Sequence, residues 1–198
     1  MKFFKINFFV LSLIGLIFNS ESYAQSEGSQ VSGGIEEIIV TARKKEEPLQ
    51  ETPVTITAIT SEKIQKLYAT DLQDIGMSVP NLIINTAASG SFGNSAAVFM
   101  RGIGNSDIDS TIDPPIGIFI DGVYVPRSSN SNLDLFDVEQ VEVLRGPQGT
   151  LFGRNTTAGA IVVRSKRPTG EFGAKARLTM GEYGRRDLRV AVEAPFSD

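Results

Sequence analysis

The chain has 198 residues, a formal net charge of -4, 41% hydrophobic residues, and neither Cys nor His. That length allows one domain, or one domain and part of another, with enough apolar material for a core. The missing Cys and His exclude disulfide frameworks, thiolate or imidazole metal centres and His- or Cys-based triads. An isoelectric point near 5.0 argues against nonspecific nucleic-acid binding.

Lys2 and Lys5 precede an apolar run at 6–18 that only Asn7, Ser12 and Gly15 interrupt, and Ser22 and Ala24 then hold small-residue positions. This is the layout of a secretory signal peptide over 1–24, cleaved after Ala24. The run is too short to cross ~30 Å of hydrocarbon, which takes about 20 apolar residues as a helix. No Cys follows the cleavage position, so lipid anchoring is out. Such a signal directs the chain to a periplasm or an outer membrane.

Residues 25–34 are Gln, Ser, Glu and Gly with one Val and read as a flexible tail. The 35–42 stretch, IEEIIVTA, is abruptly β-prone, and 43–51 is a charged linker broken by Pro48. Two readings of 35–42 stand: the first strand of the following domain, or a short linear motif that pairs with another protein's sheet edge. A strand follows at 53–59. A helix then starts with Ser61 as N-cap and sets Ile64, Leu67 and Tyr68 on one apolar face. A second helical stretch over 71–79 carries Leu72, Ile75 and Met77 and stops before Pro80. Residues 81–97 and 102–115 read as loops around a short strand at 98–101. The 116–125 segment, IGIFIDGVYV, reads as a hairpin about Asp121-Gly122. One helical turn is expected at 133–136, then strands at 138–144 and 160–164 around a turn-rich stretch.

After Pro168 the texture changes. Ala174, Ala176, Leu178 and Met180 alternate with polar residues, and so do Leu188, Val190, Val192 and Ala194 after a polar turn. Transmembrane barrel strands show this pattern, and so does a soluble half-buried hairpin. Charge divides near the same place: residues 25–163 hold 9 bases and 17 acids, whereas 164–198 hold 8 bases and 5 acids. Opposed fields of this kind fit two parts that face each other.

Familiar ligand loops fail on inspection. The 149–156 stretch has the wrong glycine spacing for a phosphate loop, with Arg154 where Lys belongs, and Gly102-Ile103-Gly104 lacks a third glycine. Asp107, Asp109 and Asp113 lack the remainder of a calcium loop and read as solvated carboxylates, so no metal is expected. No Ser lies in a nucleophile elbow. No catalytic residue is assigned and the chain is not read as an enzyme.

The segment Glu37, Ile38, Ile39, Val40, Thr41, Ala42 resembles a TonB box. Arg101-Gly102-Ile103-Gly104, then GIFIDGVYV at 117–125, VEQVEVLRGPQG at 138–149 and LFGRNTTAGAIVV at 151–163 resemble, in order, the plug signatures of TonB-dependent outer-membrane receptors. The resemblance covers about 35–168. It implies an α+β fold: a small mixed-sheet plug with short helices at 53–168, then the start of an antiparallel transmembrane β-barrel, truncated here, at 169–198. Residues 25–52 are then the flexible tail with the TonB box and linker.

The implied function is energised uptake of a scarce ligand, such as a ferric siderophore, cobalamin or another nutrient, across a bacterial outer membrane. The partners are TonB through residues 37–42, an extracellular small molecule and the membrane, with no cofactor and no nucleic acid. Phe92, Asn94, Ser95, Asn105, Ser106, Asp107 and Asp109 would face the ligand from apical loops. Arg101 and Arg145 would lock the plug to barrel glutamates. The alternative is a self-contained periplasmic plug-like binding or signalling module without a barrel. N-terminal sequencing of the exported protein is expected to begin at Gln25, and a mature chain retaining Met1 would overturn the leader assignment.

Overall fold

A computed structural model describes residues 37–41, 43–86, 95–106, 111–127 and 131–195. The signal peptide and the 25–34 tail lie outside them. The organising element is a five-stranded mixed sheet. Its strands are β3 (Ile56–Thr60), β7 (Ile116–Ile120), β8 (Val123–Val125), β9 (Val138–Arg145) and β10 (Gly159–Ser165), in the order β3-β9-β10-β7-β8. Only β10 and β7 run parallel. The β7–β8 hairpin turns on Asp121 and Gly122, both at positive φ (49° and 85°), which is what a two-residue turn matched to strand twist requires. Asp121 Oδ1 then accepts from Ser165 N at 2.8 Å and ties the turn to β10.

This sheet is covered on both faces. Val141 and Val143 of β9 and Ile161 and Val163 of β10 enter one core with Ile59, Ile116 and Ile118. Leu144, Ala160 and Val162 enter a second core with Phe119, Ala58 and Val40. The period-two alternation of strands makes this division.

Two short helices, α1 (Ser61–Lys66) and α2 (Leu72–Gly76), and an antiparallel sheet of β4 (Leu82–Asn85), β5 (Ala97–Met100) and β6 (Ile103–Gly104) supply the first core. Ser61 is the first residue of α1, not its cap; Thr60 is the N-cap. The helix ends at Lys66, so Leu67 and Tyr68 leave its apolar face, and Tyr68 stands at φ 52° and 88% exposed. Helix α2 begins on a capping box in which Asp71 and Asp74 satisfy each other's backbone N–H. It buries Leu72 and Ile75 but leaves Met77 exposed beyond its end. Strand β4 occupies part of the expected 81–97 loop. Residues 133–136 form no helical turn, since a bridge from Asp71 to Asp134 holds this stretch extended.

The second core is closed by β1 (Ile39–Val40) paired antiparallel to β2 (Glu47–Pro48). Residues expected as motif and linker are therefore a docked hairpin over the described part. The short α3 (Gly149–Phe152) brings Phe152 to 4.8 Å from the Phe119 ring.

Last come β11 (Gly173–Met180) and β12 (Arg186–Glu193), an antiparallel pair in register from Gly173↔Glu193 to Met180↔Arg186. Its polarity is inverted relative to a soluble hairpin. Leu178, Met180, Leu188, Val190 and Val192 are exposed, while Lys175, Arg177 and Arg189 lie on the more covered face. Among the described residues no helix is long and apolar enough to cross a membrane. In urea unfolding, Ile161→Ala in the first core is expected to lose about 2–5 kcal/mol, and exposed Ile83→Ala less than about 0.5 kcal/mol. Equal losses would contradict this division of core and surface.

Candidate functional site

Residues 37–41 lie across the second face of the large sheet; Ala42 is outside the described residues. Leu49 N donates to Ile38 O at 2.9 Å, and the register continues through Ile39↔Pro48 to Val40↔Glu47. Antiparallel pairing alternates hydrogen-bonded and non-bonded residues. Ile38 and Val40 therefore use the edge toward β2, while Ile39 and Thr41 turn theirs away. Pro48, with no N–H to give, falls opposite the non-bonded Ile39, where strand geometry tolerates it. Val40 is fully buried, and Ile39 is 38% exposed.

The edge that faces away from β2 is met by side chains of β9. Gln140 Nε2 donates to Ile39 O at 3.1 Å. Thr41 donates twice to Glu142 Oε1, from its backbone N at 2.8 Å and its Oγ1 at 3.1 Å. Gln140 Nε2 also reaches Glu142 Oε1 at 3.2 Å. Spacing of two on a strand puts both side chains on one face. Glu142 is fully buried, and its Oε2 has no hydrogen-bond partner among the described residues. Burial pushes the Glu142 carboxyl above its ordinary value, against the pull of the Thr41 hydrogen bonds and the Arg164 charge. The turn beyond Thr41 carries Arg43 and Lys45, which pair with Glu47 at 3.6 and 2.8 Å. Both cations are well exposed, so these pairs add little stability.

Of the expected apical residues, Phe92, Asn94, Asp107 and Asp109 lie outside the described set. Ser95 is buried, with 2% of its surface exposed, rather than open to solvent. Asn105 lines a cleft with Val98, Pro115, Val125 and Arg127, and Ser106 is exposed beside it. Among the described residues no group of three or more Asp or Glu could hold a metal ion.

Arg101 and Arg145 come together at one end of the sheet. Gly146, at φ +111°, leaves room for Arg101: a Cβ there would stand 3.4 Å from Arg101 Nη1. Arg145 places donors within the domain, Nη2 on Thr57 Oγ1 at 3.0 Å and Nη1 on Pro80 O at 3.4 Å, while its buried Nε has no partner among the described residues. Neither forms an ion pair with a carboxylate among the described residues.

The contact that joins the C-terminal hairpin to the domain uses residues that sequence reasoning did not single out. Arg189 of β12 ion-pairs with Asp134 and, at 3.1 Å, with Asp187. Lys175 Nζ donates to Phe136 O at 2.7 Å and lies 4.9 Å from the centre of the Phe136 ring, with Arg177 at 5.6 Å. The other side of this stretch is held by α2: Leu72 N donates to Leu133 O at 2.9 Å and Gln73 N to Asn132 Oδ1 at 3.1 Å. The split between acidic and basic parts was the sequence signal for this contact.

Residues 48–160 match the family described as the TonB-dependent Receptor Plug Domain. The chain is 29% identical over 161 residues to the Vitamin B12 transporter BtuB of Vibrio vulnificus (strain CMCP6), covering 81% of this chain and 26% of that protein. It is 34% identical over 154 residues to the Catecholate siderophore receptor Fiu of Escherichia coli (strain K12), covering 76% and 19%. The fold is similar to the ferripyoverdine receptor of the outer membrane of Pseudomonas aeruginosa, with TM-score 0.67 and 20% identity over 85% of this chain and 22% of that one. The chain thus spans about a fifth to a quarter of the length of these proteins.

A carboxyl whose folded pKa lies above its unfolded value holds its proton more tightly when folded. Glu142 therefore favours the folded state below the ordinary carboxylate value, and that contribution is lost as pH rises through the raised value. The urea midpoint of the unsubstituted chain is expected to fall across this window relative to Glu142→Gln. A midpoint that rises relative to Glu142→Gln would refute the direction given for this carboxyl.

Proposed function

This chain belongs to the TonB-dependent receptor plug family, and from that premise we propose that it is the coupling strand, plug and first barrel hairpin of an outer-membrane uptake receptor. The observation that carries this reading is the inverted polarity of β11 and β12. Their apolar side chains point outward and their polar ones toward the plug. A strand pair in that sense suits a lipid-facing wall around a polar interior. The cationic inner face meets Asp134 and the Phe136 carbonyl and ring, as a barrel wall holding a plug would.

The ligand is a scarce extracellular small molecule. Relatives named for vitamin B12, catecholate siderophores and ferrioxamine B make a ferric siderophore or cobalamin the leading class. Asn105 and Ser106, with Phe92, Asn94, Asp107 and Asp109, belong to the loops assigned to that ligand. Arg101 and Arg145 are assigned to holding the plug, Arg145 through Thr57 and Pro80 within the domain. Uptake involves no covalent step in this chain. Work is delivered by TonB, which pairs a strand of its periplasmic domain with residues 37–42.

Backbone groups supply most of the affinity in strand addition, so truncating a side chain should matter little. Proline at 39 removes an N–H on the edge turned away from β2, and it clashes within a strand. In the complete receptor, Ile39→Ala is expected to transport and Ile39→Pro to fail, with surface binding of the ligand retained in both. Normal uptake by Ile39→Pro would make the segment a tether and not the coupling strand.

A further inference from the structure

Strand β1 has two edges, and both are occupied. Toward β2 it uses backbone pairing. On the other edge Ile39 offers a carbonyl and Thr41 an N–H, and among the described residues no backbone group pairs with either one. Gln140 brings an amide donor to the first at 3.1 Å, and Glu142 brings a carboxylate acceptor to the second at 2.8 Å. A single residue of a parallel neighbouring strand would make the same two bonds, its N–H to one carbonyl and its C=O to the N–H two residues on. The two side chains also contact each other at 3.2 Å, so donor and acceptor are held as a unit. Glu142 is fully buried, and its Oε1 takes the contacts from Thr41 N, Thr41 Oγ1 and Gln140 Nε2.

We propose that Gln140 and Glu142 form a side-chain surrogate of a β-strand that covers the outer edge of residues 39–41, so that a partner strand binds there only by displacing them. This rests on the reading of residues 37–42 as the strand that TonB pairs with. The surrogate sets how readily the segment is available: it satisfies the edge when no partner is present and competes with the partner for the same carbonyl and N–H. It also protects an otherwise open strand edge from adventitious pairing.

The test uses the complete receptor in detergent, without extracellular ligand, and the purified periplasmic domain of TonB. Ile39→Cys supplies a reporter thiol at a half-exposed position in a stretch that has no other Cys. Gln140→Leu combined with Glu142→Leu removes both surrogate groups and keeps side-chain bulk. Thiol labelling is expected to rise, and the Kd for TonB (measured without the reporter) to fall, each by about tenfold, the scale of one or two net hydrogen bonds. Gln140→Leu alone keeps Glu142 and is expected to change both by about threefold; it decides the matter if the double variant does not fold. Unchanged labelling and unchanged Kd overturn the proposal. So does faster labelling with an unchanged Kd, because the pair would then restrain the strand without competing with a partner. A parallel measurement separates the underlying reading: if receptors with and without Ile39→Pro bind the TonB domain equally, residues 37–42 are not the partner's strand, whatever the labelling shows.

Discussion

Strand β9 is buried on both faces, and the remainder of the domain follows from that constraint. A strand with one wet face has to be covered on one side only; β9 is covered on both. Val141 and Val143 serve the core closed by the helices and the small sheet. Gln140, Glu142 and Leu144 serve the other, which the chain closes with its own N-terminal hairpin. Without that hairpin, Leu144, Ala160 and Val162 would lose the cover that Val40 gives. The segment assigned to energy coupling is thus also part of the packing, and its departure exposes apolar surface. That opposes release, and it favours return once a partner lets go.

The meeting of plug and hairpin follows a different logic. Here polar groups do the joining, because the apolar face of β11 and β12 is turned outward. Arg189 with Asp134 is only partly shielded, with side chains 25% and 51% exposed. Such a pair adds modest stability but gives direction, since an acidic stretch is presented to a basic wall. The backbone of that stretch is fixed from behind by α2.

Much of the fold could be read from the sequence wherever one strand's own alternation told the story. The hairpin at 116–125, the strands ending at Arg145 and Ser165, and the C-terminal pair all stand where periodicity puts them. Reading failed where distant partners decide. Strand β4 has the short run Leu82, Ile83 and Ile84 to signal it, beside Asn, Ser and Gly, and it is held in place by pairing with β5. Residues 133–136 have helical composition but are held extended by Asp71. Met77 looks like a core residue until α2 ends one position before it. The 37–42 segment was visible as a run of β-formers, yet the side-chain contacts that hold it were not. Thr41 and Glu142 are 101 residues apart, and no local pattern links them. The direction of the last hairpin was equally hidden, because alternation defines two faces without saying which one meets water.

That direction has a consequence for the chain's journey. In an aqueous compartment Leu178, Met180, Leu188, Val190 and Val192 form an exposed apolar stripe along one face of the two-stranded ribbon. Long, exposed apolar strand edges template association with one another. A polypeptide carrying such a stripe cannot be left to diffuse at high concentration before it reaches lipid. That stripe is where association between copies of the described chain in water is expected to begin.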